Sequence, residues 1–203
     1  MQGWQTLLGI FVIAFVVQLA VPGFTEGLYF DPSNLTPWMF ITSCFLHGGL
    51  MHLFFNSFSL LIFGPYLERE IGTKNFLLLF LAAGIAGNLT YYLTIITAII
   101  PAVPALGASG GIFGILGALA MLRPDMRVFV FFIPMPIQVA AALWFVLELM
   151  GSFNPGSGIA NAAHLGGLIL GLAYGVYYER KRKEDFVFQH SGDAGREWEG
   201  DYI

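Results

Sequence analysis

Long apolar stretches alternate with short polar interruptions along almost the whole chain. The near-continuous apolar runs cover residues 4–21, 49–66, 74–96, 109–122, 129–149 and 158–178. Most approach the ~20 residues a helix needs to cross a ~30 Å hydrocarbon layer. The pattern therefore predicts an all-α fold, a polytopic membrane helix bundle of six transmembrane helices. The fourth run is the exception, because about 14 residues are too few to span the layer. It is expected to start below the membrane surface, with 97–108 dipping in behind it. Irregular backbone at that depth is tolerated only against protein or a water-filled cavity. The longest connection, 22–48, carries Pro22, Gly23, Asp31, Pro32 and Pro37 among Phe24, Tyr29, Phe30, Trp38 and Phe40, which suits the membrane interface.

Composition agrees with this picture. The 203-residue chain is 57% hydrophobic and only 11% charged, outside the range of soluble domains. Nothing in it offers a basic surface for nucleic acid; the lipid bilayer is its solvent. The first run lacks a charged leader and a small-residue cleavage site, so it reads as a retained span and not a signal peptide. The single Cys44 excludes an internal disulfide.

The placement of charge matters more than its sum. No Lys or Arg precedes Arg69. Arg69 and Lys74 separate the second and third runs, Arg123 and Arg127 the fourth and fifth, and Arg180, Lys181, Arg182, Lys183 and Arg196 follow the sixth. Alternating spans put all nine on one face, which is cytoplasmic by the positive-inside rule. Both termini are then cytoplasmic, and 22–48, 97–108 and 150–157 lie opposite. Residues 1–178 read as one membrane domain. Residues 179–203 read as a charged, flexible cytoplasmic tail whose Arg180–Lys183 run anchors to anionic lipid.

Polar groups inside spans are expensive, and each is a functional candidate. Ser109 sits in Gly107-Ala108-Ser109-Gly110-Gly111, where a loop enters a helix. Unpaired N–H groups and the positive end of the helix dipole favour developing negative charge there. His52 and Asn56, four apart, share a helix face near the outer end of the second run. His164 lies six residues into the sixth run, roughly 9 Å below the outer surface. These four groups reach a similar depth from three helices.

Glycines supply the proximity. Gly167 and Gly171 share the face of His164, and Gly110, Gly114 and Gly117 form a matching stripe on the fourth run. Two such faces pack backbone to backbone, which a Ser–His hydrogen bond of ~2.6–3.2 Å requires. Each feature has a plainer reading: an ordinary small-residue helix contact, a His164 bonded to a carbonyl, a His52/Asn56 pair stapling helices. The shared depth favours a serine hydrolase site, with cavity water as second substrate. Glu148, near an outer end, reads as an interfacial side chain reaching water. Asn88 and Tyr91 read as makers of interhelical hydrogen bonds.

Other hydrolase chemistries lack their residues. There is no His-Glu-x-x-His for a metalloprotease. Asp31, Asp125, Asp185, Asp193 and Asp201 all fall outside the spans, so no buried aspartate pair is available. His47 and His52, five apart, diverge around a helix and make a poor metal pair. No metal and no organic cofactor is called for.

At these positions the chain resembles the rhomboid intramembrane serine proteases. Gly107-Ala108-Ser109-Gly110 is similar to the family's G-x-S-G, His164 with Gly167 and Gly171 to its A-H-x-x-G-x-x-x-G, and His52-x-x-x-Asn56 to its H-x-x-x-N. Leu67-Glu68 followed by Gly72 is similar to its motif after the second helix. The resemblance covers residues 1–178. It implies a serine endopeptidase with Ser109 as nucleophile and His164 as general base and acid, a dyad without an orienting carboxylate. It also implies an oxyanion hole from His52, Asn56 and the Ser109 backbone N–H. Phe113 stands where relatives often carry a Tyr packed on the histidine, and His47 matches a histidine often found just before the second helix; it reads as bracing 22–48 and not as catalytic. The first connection has Trp38 but lacks the Arg that relatives often pair with a Trp. Substrates implied are transmembrane proteins cut near the outer end of a helix, with access beside the fifth helix around Trp144, Phe153 and Pro155. Two rival readings are a non-catalytic rhomboid-like protein that binds membrane helices, and a small transporter using His52, Asn56, Asn88 and His164.

Overall fold

The computed structural model describes residues 2–130, 132–153 and 160–191. Eight α-helices and one short hairpin follow in order: α1 (Gly3–Ala20), α2 (Phe24–Leu28), α3 (Met39–Thr42), α4 (Leu50–Ile71), α5 (Thr73–Ile96), α6 (Ser109–Leu122), β1 (Arg127–Val130), β2 (Ile133–Pro136), α7 (Ile137–Gly151) and α8 (Asn161–Ser191). A single 3₁₀ turn, Ser43–Phe45, follows α3. By length and composition, α1, α4 and α5 are able to cross a membrane, and α6 and α7 are shorter apolar helices.

The short helix α6 is the axis of the bundle. Gly110, Gly111, Ile112 and Gly114–Ala120 are all buried along it. It lies against α8 and α5 so closely that side chains are excluded from the contact. A Cβ on Gly171 would run into the Gly114 carbonyl, and one on Gly167 into that of Gly110. A Cβ on Gly117 would meet Leu168 O and Leu172 N. The α5 face is equally tight, since a Cβ on Gly114 would run into Ala83 and one on Gly111 into Phe80. In lipid no hydrophobic force drives helices together, so close van der Waals contact between such small-residue faces does. The opposite condition holds at the periphery. Ile13, Val16 and Leu19 of α1, and Phe54, Phe55 and Phe58 of α4, are exposed as a lipid-facing shell would be.

Carboxylates fasten the helix ends remote from Ser109. Glu68 accepts the backbone N–H groups of Gly3 (2.7 Å) and Trp4 (2.9 Å) and the Thr73 hydroxyl (2.6 Å). It thereby caps the N-terminus of α1, where unpaired N–H groups and the dipole favour negative charge. Glu70 pairs with Arg123, lies 3.9 Å from Arg182 and accepts the Tyr178 hydroxyl on its backbone carbonyl at 3.2 Å. The ends of α4 and α6 and the middle of α8 are thus joined through residues of the basic face.

Two expected boundaries need correction. Residues 129–130 and 133–136 do not begin a fifth span; they lie in β1 and β2, with Arg127 opposite Pro136 and Val130 opposite Ile133. Pro134 and Pro136 lack N–H groups and suit an edge strand better than a helix interior, so α7 starts only at Ile137. Nor does the helix give way to a tail at residue 179. α8 continues to Ser191, where Glu179 pairs with Arg182 (2.6 Å) and Lys183 (3.5 Å) at helical spacing. The expected start of the sixth span at 158, the tail from 192 onward with Arg196, and Pro155 lie outside the described residues.

Replacing Gly171 with leucine should separate α6 from α8. The variant should unfold about 1–3 kcal/mol more easily in a detergent denaturation series. Wild-type stability in that variant would contradict the close backbone packing.

Candidate active site

Ser109 is the first residue of α6, following an N-cap at Ala108 whose carbonyl accepts the Ile112 N–H at 3.0 Å. The approach to it is held on three sides. Ala105 and Phe30 exchange both backbone hydrogen bonds at 2.9 Å, Tyr91 Oη donates to the Val103 carbonyl at 2.9 Å, and the Gly107 N–H donates to Ser43 O at 2.9 Å. Gly107 itself has φ +138°, a conformation open to glycine. A Cβ there would stand 2.8 Å from the His52 ring and 3.6 Å from Ser109 Oγ. The glycine therefore leaves room for both groups to border one small space.

His164 enters from α8. Its Nε2 lies 2.7 Å from Ser109 Oγ, within hydrogen-bond reach of a serine hydroxyl. The ring is stacked on Phe113, with centroids 4.5 Å apart and planes 10° from parallel. Phe113 is one helical turn after Ser109, so α6 supplies both the hydroxyl and the surface that orients the imidazole. This meeting depends on the glycine contacts of Gly167 with Gly110 and of Gly171 with Gly114.

His52 of α4 borders the same space, and Asn56 follows one helical turn later. The Gly48 N–H donates to His52 Nδ1 at 3.2 Å. That bond leaves the proton on Nε2, the ring edge near Gly107 and Ser109. Asn56 is buried, and its Nδ2 has no hydrogen-bond partner among the described residues. A buried amide donor without an acceptor is costly and is suited to an oxygen brought by a ligand.

His47 stands beside this group and not in it. It is buried against Phe11 (ring centroids 5.2 Å) and His52 (5.4 Å). Its backbone N–H donates to Gln18 Oε1 at 3.0 Å, and its carbonyl accepts from Gln18 Nε2 at 3.1 Å. The residue ties the first connection to α1. Asn88 works similarly on the same connection, donating to Phe40 O and Ser43 Oγ at 2.9 Å each. Asn88 thus bonds from α5 to α3 and the 3₁₀ turn, the interhelical role expected of it, whereas Tyr91 bonds to the loop carbonyl of Val103. Cys44, buried in the 3₁₀ turn, is no rival nucleophile, because burial pushes its thiol up to about 12. No cluster of metal-ligating side chains occurs among the described residues.

Two residues near His164 went unrecognised in the sequence. Glu148, read as an interfacial side chain reaching water, turns inward: its Oε2 is 3.0 Å from His164 Nδ1, and both side chains are largely enclosed (14% and 12% exposed). Asn161 Nδ2 donates to the same oxygen at 2.6 Å. The sequence signal for Asn161 was its spacing, three residues before His164 on one helix face. For Glu148 it was an acid within an otherwise apolar helix. Of the expected access residues, Trp144 packs partly buried against the core, and Phe153 is 70% exposed.

A family profile described as "Rhomboid domain" matches residues 34–181. The chain belongs to the rhomboid family. It is accordingly a multi-pass, helical membrane protein. Among similar proteins, the putative rhomboid protease YdcA of Bacillus subtilis is 44% identical over 74 residues, 36% of this chain and 35% of that protein. The rhomboid protease GluP of the same organism is 42% identical over 55 residues, 27% of this chain and 11% of GluP. The inactive RHOMBOID-like protein 8 of Arabidopsis thaliana is 40% identical over 52 residues, 26% of this chain and 15% of that protein. The matched segments thus span about a third or less of these rhomboid relatives.

In this rhomboid protein, burial and the neighbouring His52 push the His47 side chain down from the usual 6.5 to about 4. Between those values the unfolded chain binds a proton that the folded one does not, so stability should rise with pH from about 4 to 6.5. A His47→Phe variant should lose part of that slope in denaturation curves recorded across the range. An unchanged slope would contradict a buried, neutral His47.

Proposed function

We propose that this protein is an intramembrane serine endopeptidase that cleaves transmembrane substrates with a Ser109–His164 dyad. The observation that carries the reading is the 2.7 Å contact between His164 Nε2 and Ser109 Oγ, made at the N-terminus of a helix too short to span the bilayer. At ~1.5 Å per residue, α6 is about 21 Å long against a ~30 Å hydrocarbon layer. Ser109 therefore lies below the surface, where a polar cavity must exist for hydrolysis and where the approach 97–108 is held by protein.

The chemistry follows from the positions. Ser109 Oγ attacks the scissile carbonyl carbon while its proton passes to His164 Nε2. The carbonyl oxygen becomes an oxyanion facing the first N–H groups of α6, His52 Nε2 and Asn56 Nδ2. His164 then gives its proton to the leaving amine, and the C–N bond breaks. Water attacks the resulting ester and loses its proton to His164. The acid is released, and the serine regains its hydrogen.

In this reading the domain holds six spans over 1–178, with α8 carrying the chain into a cytoplasmic tail. Both termini are cytoplasmic, and the site opens to the extracytoplasmic side, because the basic residues cluster at the ends remote from Ser109. Gly107 and Gly110 allow the serine its position; Phe113, Gly167 and Gly171 hold the imidazole against it; His47 braces the first connection beside the oxyanion donors.

The test is cleavage of a labelled single-span substrate by purified protein in liposomes. Wild type should cut, Ser109→Ala and His164→Ala should not, and Asn56→Ala should lose about 10²–10³ in kcat. Folded wild type that neither cuts nor reacts with a fluorophosphonate would overturn the reading in favour of helix binding without catalysis.

A further inference from the structure

The dyad leaves one proton unaccounted for. If His164 Nε2 is to accept the Ser109 proton, the resting ring proton must sit on Nδ1. As Nε2 takes up the serine proton, the ring becomes a cation inside a membrane bundle, where uncompensated charge is expensive. The group facing Nδ1 is the Glu148 carboxylate, with Oε2 at 3.0 Å.

Three features make this more than a chance contact. Glu148 is brought by α7, a helix that buries only Ile137, Ala140 and Ala141, all in its first two turns. The far end of α7 reaches the bundle through this side chain. Its Oε2 is also held by Asn161 Nδ2 at 2.6 Å, and Asn161 in turn fits because Gly151 has no side chain. A Cβ on Gly151 would overlap the Asn161 amide. Finally, Phe113 closes one face of the ring, so the imidazole is fixed by stacking while its two nitrogens look toward Ser109 and Glu148.

We propose that Glu148 is a positioning residue for His164, held by Asn161, so that the site works as a Ser109–His164–Glu148 triad and not as an unsupported dyad. In the resting state the carboxylate lies off the Nδ1–H axis, since Nδ1 makes no aligned hydrogen bond. It acts first by charge, stabilising the imidazolium at short range. Catalytic hydrogen bonds that are poorly aligned in the resting enzyme tighten as charge develops. Glu148 keeps its negative charge throughout and exchanges no proton, so the atom balance of the reaction is unchanged.

The inference rests on the protease reading above and deepens it. Its test uses full-length protein in liposomes and compares wild type with Glu148→Gln, Glu148→Asp and Asn161→Ala. Glutamine keeps the shape and an acceptor for Asn161 but removes the charge. Cleavage of the single-span substrate by Glu148→Gln should fall about ten- to a hundredfold in kcat with KM nearly unchanged. The rate of fluorophosphonate labelling of Ser109, which needs no helix to enter, should fall in parallel. Glu148→Asp should recover part of both, and Asn161→Ala should lose less than Glu148→Gln.

Labelling and kcat at wild-type rates in Glu148→Gln, or a change confined to KM, would overturn the triad while leaving the dyad in place. Should Glu148→Gln unfold, the Asp and Asn161 variants decide by the same two rates, and wild-type values in both would overturn it. Wild type that is inert and unlabelled would remove the protease reading itself.

Discussion

The contact on which everything else depends is the approach of α6 to α8 along Gly110, Gly114 and Gly117 on one side and Gly167 and Gly171 on the other. Carbonyl oxygens on one helix occupy the volume where side chains of the other would be. In a lipid solvent such packing replaces the hydrophobic effect as the force between helices. It also sets the spacing between Ser109 and His164, which sit at one end of the same two faces. A side chain inserted anywhere along the seam would separate the hydroxyl from the imidazole as surely as it would loosen the bundle.

A second constraint is the cost of unpaired polar groups. Several polar side chains that the bundle encloses are spent on holding irregular backbone and helix ends. Asn88, Tyr91 and Gln18 pin the first connection and the approach to Ser109, and Glu68 caps α1. Against that background, groups lacking such a structural bond stand out. Asn56 Nδ2 has no acceptor among the described residues, and the bond to Gly48 leaves the His52 proton on Nε2, beside Gly107.

The site residues were legible because their spacing is local. His52 and Asn56 share a face by helical period, His164, Gly167 and Gly171 do the same, and a serine amid glycines at a loop-to-helix junction is a recognisable unit. Glu148 and the start of α7 were not legible for the converse reason. An apolar run such as 129–149 does not reveal that Pro134 and Pro136 belong to a hairpin. With α7 beginning eight residues later, the direction in which Glu148 points changes with it. The continuation of α8 past 178 is not legible either, because a charged run is compatible with a helix or a loop, and here Glu179 forms helical pairs with Arg182 and Lys183.

By itself the sequence determined that this is a helical membrane protein of the rhomboid type, where its charges fall between the apolar runs, and that His52 shares a helix face with Asn56 and His164 with Gly167 and Gly171. Those properties follow from hydropathy, charge and the 3.6-residue period, which are carried by residues close in the chain. Only the tertiary structure decided which side chain faces His164 Nδ1, how the loops around Ser109 are tied, and where α7 begins. These depend on contacts between segments far apart in sequence. Such contacts are set by the shape of the packed bundle, and no local pattern encodes them.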